Sequence, residues 1–226
     1  LTKIALNTNP KENIPKKEKL DFESITKNEN KLYLFGSGST ENRNLMLTYH
    51  LENEKIKSKD LSELYSRLRT LAKLKEDELN IEGAISVEDT MYLFQRGNGG
   101  TGTNGLFIVE DDKTKPMYFH PIPLPKINAV EYTFTDAILV HDKIYFLAAA
   151  ENSNSTYLDG EVLGSLVGIL NPKTFEVEQT IVISDHHKFE GITIYKESST
   201  ELEFLLCEDN DTEILETKIY KLKWNK

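Results

Sequence analysis

Cys207 is the sole cysteine of the chain, so no internal disulfide can staple the fold. A lone thiol suits the cytoplasm, yet it is equally compatible with a periplasmic or secreted protein. Nowhere does an apolar run approach the ~20 residues that a membrane-crossing helix needs. The chain opens at Leu1 without a charged-then-apolar leader, as a cleaved or trimmed N-terminus would. Basic charge is also scarce: 27 Lys and Arg face 37 Asp and Glu, a formal net charge of −10. That balance repels a nucleic-acid backbone or an anionic membrane surface, and the one tight basic cluster, Lys16, Lys17 and Lys19, reads as a solvated loop.

Several catalytic signatures are missing as well. The five histidines, His50, His120, His141, His186 and His187, show no zinc-ligand pairing. Ser165 sits in a Gly-Ser-Leu-Val-Gly order that does not form a nucleophile elbow. Gly97-Asn-Gly-Gly-Thr-Gly102 has the letters of a dinucleotide-binding turn, but Thr103 to Val109 reads as turn then strand. Phosphate binding needs the positive end of a helix at that place.

What the chain has is a repeat. Hydrophobic residues at 38% and charged residues at 28% are ordinary for a globular chain, and 226 residues fit one domain spanning 1–226. Four segments superimpose: Asp21-Phe-Glu-Ser-Ile-Thr, Asn80-Ile-Glu-Gly-Ala-Ile, Phe134-Thr-Asp-Ala-Ile-Leu and Lys188-Phe-Glu-Gly-Ile-Thr. Each holds an acid, a small residue and an apolar run. The acids are Glu23, Glu82, Asp136 and Glu190, at spacings of 59, 54 and 54 residues. After each acid comes a polar turn, as in Lys27-Asn-Glu-Asn30, Glu88-Asp89 and His141-Asp142, and then a second strand, as in Leu32 to Phe35, Met91 to Phe94, Ile144 to Leu147 and Leu202 to Leu206. Third strands follow at Leu45 to Tyr49, Leu106 to Val109, Leu166 to Leu170 and Ile219 to Leu222.

Many of these runs lack polar alternation, as strands covered on both faces do. The pattern predicts an all-β fold: a β-propeller of four-stranded antiparallel blades with four repeats visible. Tyr118 to Pro125, with three prolines, and Glu178 to Ile183 fit outer edge strands, where a missing amide donor does little harm. Asp60 to Lys75 places Leu61, Leu64, Tyr65, Leu68 and Leu71 at helical spacing, which predicts one inserted helix with Asp60 and Glu63 as a capping pair. Leu1 to Asn9 reads as an extra strand, either closing the last blade or belonging to a preceding one.

Phe35-Gly-Ser-Gly-Ser39, Leu79-Asn-Ile-Glu-Gly-Ala84, Arg96-Gly-Asn98 with Thr103-Asn-Gly-Leu106, Asp159 to Gly168, and Glu208-Asp-Asn-Asp211 together carry a family resemblance. Over nearly the whole chain the sequence resembles a bacterial β-propeller family of unknown function. Members of that family usually carry a further N-terminal blade, so the resemblance implies that this chain lacks one and that the intact protein has five or more blades. More distantly, the acid-led repeat is similar to calcium-dependent propeller phytases and propeller lactonases, although a shared fold does not transfer activity.

Inner strands of a propeller begin near one end of the channel, so Glu23, Glu82, Asp136 and Glu190 should form a ring. Two readings follow. The ring holds a hard divalent cation such as Ca²⁺ with oxygen ligands, assisted by Asn80 and Thr135, or each acid accepts backbone amides from the next blade. A second set of residues follows the second strands: Ser37 and Ser39, Arg96 and Asn98, Glu151 and Asn152, and Glu208, Asp209 and Asp211. Such loops rim one face and are the expected ligand-binding positions, with Arg96, Asn98, Glu151 and Asp209 foremost. Arg96 either binds an anion or pairs internally with Glu82 or Glu151. The Ala148 to Gly164 loop is a candidate cap, Asp209 to Glu213 is a calcium-like loop without its glycine, His187 lies beside the ring, and Cys207 is expected as a core thiol.

No catalytic residue stands out. The expected function is a ligand-binding or interaction scaffold, for a small molecule or a protein, with an acidic and Ca²⁺-compatible channel. The alternative is a metal-dependent hydrolase of phosphoesters or lactones, in which Glu82, Asp136 and Glu190 hold the cation.

Overall fold

The structure is a computed structural model that describes residues 14–15, 18–110, 112, 114–152, 160–209 and 217–226. Four antiparallel sheets stack around an axis as the blades of a propeller. Blade 1 is β1 (Phe22–Asn28), β2 (Lys31–Gly36), β3 (Leu45–His50) and β4 (Lys55–Asp60) in sequential order. Helix α1 (Ser62–Ala72) leads to blade 2, made of β5 (Ile81–Val87), β6 (Thr90–Gln95), β7 (Gly105–Glu110) and β8 (Tyr118–Pro121). A small hairpin, β9 (Lys126–Ile127) and β10 (Val130–Glu131), precedes blade 3. That blade is β11 (Thr133–Val140), β12 (Lys143–Asn152), β13 (Glu161–Leu170) and β14 (Val177–Ser184). Blade 4 has three strands among the described residues: β15 (Phe189–Glu197), β16 (Glu201–Glu208) and β17 (Ile219–Asn225). Leu1 to Asn9 lies outside the described residues.

Local chemistry explains the hairpins. Glu29, Glu88 and His141 open the tight turns of blades 1, 2 and 3 with φ of 51°, 51° and 55°, the left-handed geometry that matches the twist of antiparallel strands. The proline-bearing segment becomes β8, at the outer edge of blade 2, where it interrupts no central ladder. The expected capping pair is displaced by one residue: Leu61 is the N-cap, and the Asp60 carboxylate accepts the Ser62 N–H at 2.8 Å.

Inner strands pack in succession, β1 on β5, β5 on β11 and β11 on β15, and three apolar cores fill the junctions. Phe35 and Met46 of blade 1 meet Ile81, Leu93 and Phe107 of blade 2, with Tyr65 and Leu68 of α1 closing over them. The other face of blade 2 gives Ile85, Phe94 and Leu106 to the core shared with Phe134, Phe146 and Leu166 of blade 3. Blade 3 then turns Tyr145, Leu147 and Val167 toward Phe204, Leu206 and Trp224 of blade 4. Blades 2 and 3 are thus covered on both faces, which is why their strands lack alternation. Cys207 corrects the expectation of a core thiol: it is exposed, because it lies on the face of blade 4 turned away from blade 3.

Candidate channel site

Each inner strand carries an irregularity at the same place. In β1, β5 and β15 the pairing skips one residue, and the skipped residues are Glu23, Glu82 and Glu190. A bulge turns its extra side chain out of the regular alternation, and the bulges of blades 1, 2 and 4 bring three carboxyl groups near one another. In β11 the skipped residue is Thr135, not Asp136. The one-residue register change follows from Asp136 occupying the place held by Ser24, Gly83 and Gly191 in the other blades. Thr135 is fully buried and donates its hydroxyl to the Phe189 carbonyl at 2.7 Å, tying blade 3 to blade 4. Asp136 accepts the Ala137 N–H through Oδ1 and the Ile192 N–H of blade 4 through Oδ2, both at 2.8 Å. Its neighbour across the junction is Gly83, where an added Cβ would stand 3.1 Å from the Ala137 nitrogen. A side chain there would require the two inner strands to separate by a few tenths of an ångström.

Two residues before each bulge stands another polar group: Asp21, Asn80, Thr133 and Lys188. These support the ring. Asp21 pairs with Arg43 at 2.5 Å, and Asn80 donates to Glu82 Oε1 at 2.8 Å and to Asn98 Oδ1 at 3.2 Å. Arg96, just after β6, is 4% exposed and joins three blades. Its Nη1 donates to Glu82 at 3.2 Å, its Nη2 to Glu151 at 2.7 Å and its Nε to Thr133 at 3.2 Å. Glu190 lies 3.8 Å away. Lys188, 5% exposed, places Nζ 2.9 Å from Glu190, 3.8 Å from Glu151 and 3.9 Å from Asp209.

Charge and burial set the protonation of this cluster. Burial, then the nearby Glu82, Asp21 and Glu190 carboxylates, raise the Glu23 pKa far above the usual carboxylate range. Burial and Glu82 also raise Glu190, while Lys188 and Arg96 pull it back. Asp136 is pushed up to about 7 by burial, against the two amide bonds that favour its anion. Burial opposes the charge on Arg96, but Glu82, Glu190 and Glu151 outweigh it and hold its pKa above the usual value.

The structure therefore brings Glu23, Glu82, Glu190, Arg96, Asn98, Glu151 and Asp209 to one end of the channel, with Asp136 one residue behind the ring. Ser37 and Ser39 instead bind each other at 3.0 Å, and Ser39 accepts Arg43 Nη1 at 2.9 Å. His187 bonds Glu208 at 2.5 Å, beside Tyr220 rather than within the cluster. The candidate cap over Ala148 to Gly164 is corrected at both ends, where Ala148 to Asn152 continue β12 and Glu161 to Gly164 begin β13 as a paired ladder; its middle, 153–159, and the calcium-like loop beyond Asp209 lie outside the described residues. Lys188 is the residue that sequence reasoning missed, and its signal was present in the polar position two before every bulge. Among the described residues, no group of three or more His, Cys, Asp and Glu side chains has the geometry to hold a metal ion.

The solved structures to which the chain is similar share little sequence with it. An exo-1,5-α-L-arabinanase from a bovine ruminal metagenomic library matches at 11% identity and a TM-score of 0.39, over 90% of this chain and 92% of that one. Semaphorin 2a of Drosophila matches at 9% identity and 0.40, and semaphorin 1b at 9% and 0.38. Each covers 91% of this chain, which spans about half of either semaphorin chain, 48% and 52%. No curated protein matches the sequence. The family model, in contrast, covers residues 1–223, and the chain belongs to a family of unknown function, DUF6929.

Proposed function

We propose that the protein is a binding propeller whose channel end accepts a small cationic ligand. One observation carries this reading: carboxyl groups from four blades and their loops converge, with Glu82, Glu151, Glu190 and Asp209 around two cations, Arg96 and Lys188, and Glu23 and Asp136 beside Glu82. Buried like charges repel, and the cluster relieves that repulsion by keeping protons. An entering cation does the same work and displaces them. Glu190 and Asp209 are the more exposed acids of the cluster, at 20% and 43% of their side chains, whereas Glu82 and Glu151 are buried against Arg96. Calcium supported by the ring carboxylates, and an organic ammonium, are the two sources of such a charge.

Titration calorimetry with CaCl2 and with methylammonium, run in two buffers of different ionisation enthalpy, tests the reading. Expected are saturable binding of one of them, proton release visible as buffer-dependent heat, and a raised melting temperature, all lost in Glu190→Gln. Absence of heat and of any thermal shift at millimolar concentrations of both probes overturns it. The hydrolase alternative uses the same carboxylates and requires a cation to displace Arg96 from Glu82. Turnover of a phosphoester or lactone by the wild type, abolished in Glu82→Gln, would favour it.

A further inference from the structure

Helix α1 sits between the outer parts of blades 1 and 2, and the two sheets part beneath it around a cavity of about 510 Å³. The junctions between blades 2 and 3 and between blades 3 and 4 have no such insert and are filled by aromatic and branched side chains. All three methionines of the chain, Met46, Met91 and Met117, line this one cavity. They arrive from β3, β6 and the segment before β8, so nothing in local sequence groups them. Methionine is flexible and polarisable, and it adapts to guests of different shape. Tyr33 and Leu64 complete the apolar wall.

The rim has a sign. Seven carboxylates line the cavity against four cations. Some are engaged within the protein: Lys115 pairs with Glu110, Asp112 accepts Thr114, and Asp60 accepts the Ser62 N–H. Glu29, Glu88 and Asp89 stand on the exposed hairpin turns of blades 1 and 2, which Asn28 ties together through Ser86 Oγ at 2.9 Å and the Glu88 carbonyl at 2.8 Å. A volume within the usual 300–1,000 Å³ range of small-molecule sites, an adaptable apolar wall with an aromatic ring, and a net acidic rim describe one ligand chemistry. We infer that this cavity is a binding site for an amphipathic organic cation, an apolar body with an ammonium group held at the acidic turns. It is separate from the channel, and neither site requires the other.

Calorimetry with decyltrimethylammonium, its matched anion decanoate, and choline as the head group alone tests the assignment below micellar concentrations. Expected is one-to-one binding of decyltrimethylammonium at least about tenfold tighter than decanoate, with no saturable binding of choline. Leu64→Trp, which fills the cavity, should weaken binding about tenfold. Asp89→Lys, an exposed change that leaves the core intact, should weaken it about threefold and reduce its salt dependence. Glu190→Gln in the channel should leave it unchanged. Decanoate binding as tightly as the cation, binding unmoved by both Leu64→Trp and Asp89→Lys, or loss of binding in Glu190→Gln would each overturn the assignment.

Discussion

Strand β12 of blade 3 buries seven of its ten residues, among them Ala148, Ala149 and Ala150 in succession. The inner strand of blade 4, β15, buries two of nine and leaves Thr193 to Glu197 exposed. Both belong to blades of one plan, and the difference is company: among the described residues, blade 3 lies between two neighbours, while blade 4 packs on one. Tyr195 is 58% and Ile219 58% exposed, and Cys207 shares that outlook. What a residue contributes in this protein therefore depends more on the number of sheets covering it than on its place in the repeat.

The largest effects should come from doubly covered positions. Phe146, fully buried, stacks edge-on with Phe134 at 5.1 Å, and Phe134 with Phe94 at 5.3 Å, so Phe146→Ala should cost about 3–5 kcal/mol in urea unfolding. Arg96→Leu breaks the tie among three blades, leaves Glu82 buried without its cation and leaves Glu151 with only the more distant Lys188. A loss of about 3 kcal/mol in urea unfolding at neutral pH is expected. A loss no larger than that of an exposed substitution would show that the tie adds little to stability.

The native protein should respond to pH with a definite sign. Glu23, Glu190 and Asp136 have raised pKa values in the folded state, so they bind more protons folded than unfolded. Their stabilising contribution is complete below the ordinary carboxylate range and is lost as pH rises through the folded values, about 7 for Asp136. The acids with lowered values, such as Glu203 and Glu208, act in the opposite sense, and their contribution is lost as pH falls through the folded values. The urea midpoint should accordingly fall between pH 5 and pH 8, and a rise would contradict the buried-acid account. The smallest effect is expected on the uncovered face of blade 4: Tyr195→Ala removes a contact with Lys221 Nζ, 5.0 Å from the ring centroid, and should shift stability by about 0.5 kcal/mol. A loss comparable to that of Phe146→Ala would mean that this face is covered in solution.

Much of the fold was legible because its signals are local. Turn residues, strand runs, the edge position of Tyr118 to Pro121 and the period of Tyr65 and Leu68 each reflect a preference that a few neighbouring residues decide. The site was legible only up to the bulge. Letter by letter Asp136 aligns with the other acids, but the extra residue in β11 is Thr135, and pairing with β12 fixes that. Lys188 escaped notice because a single lysine before a strand reads as solvated until two carboxylates from other segments join its neighbour Glu190 around it. Cys207 was placed in a core because alternation cannot say whether a second sheet lies opposite.

By itself the sequence determined a repeating acid-turn-strand unit, its hairpins, one inserted helix and an acidic overall charge, since each follows from covalent chemistry and near-neighbour preference. Only the tertiary structure decided which blades have two partners, which residue bulges in each inner strand, and that Arg96 and Lys188 sit among the carboxylates. Those facts depend on contacts between segments some fifty residues apart, which stacked sheets bring together and no local pattern records.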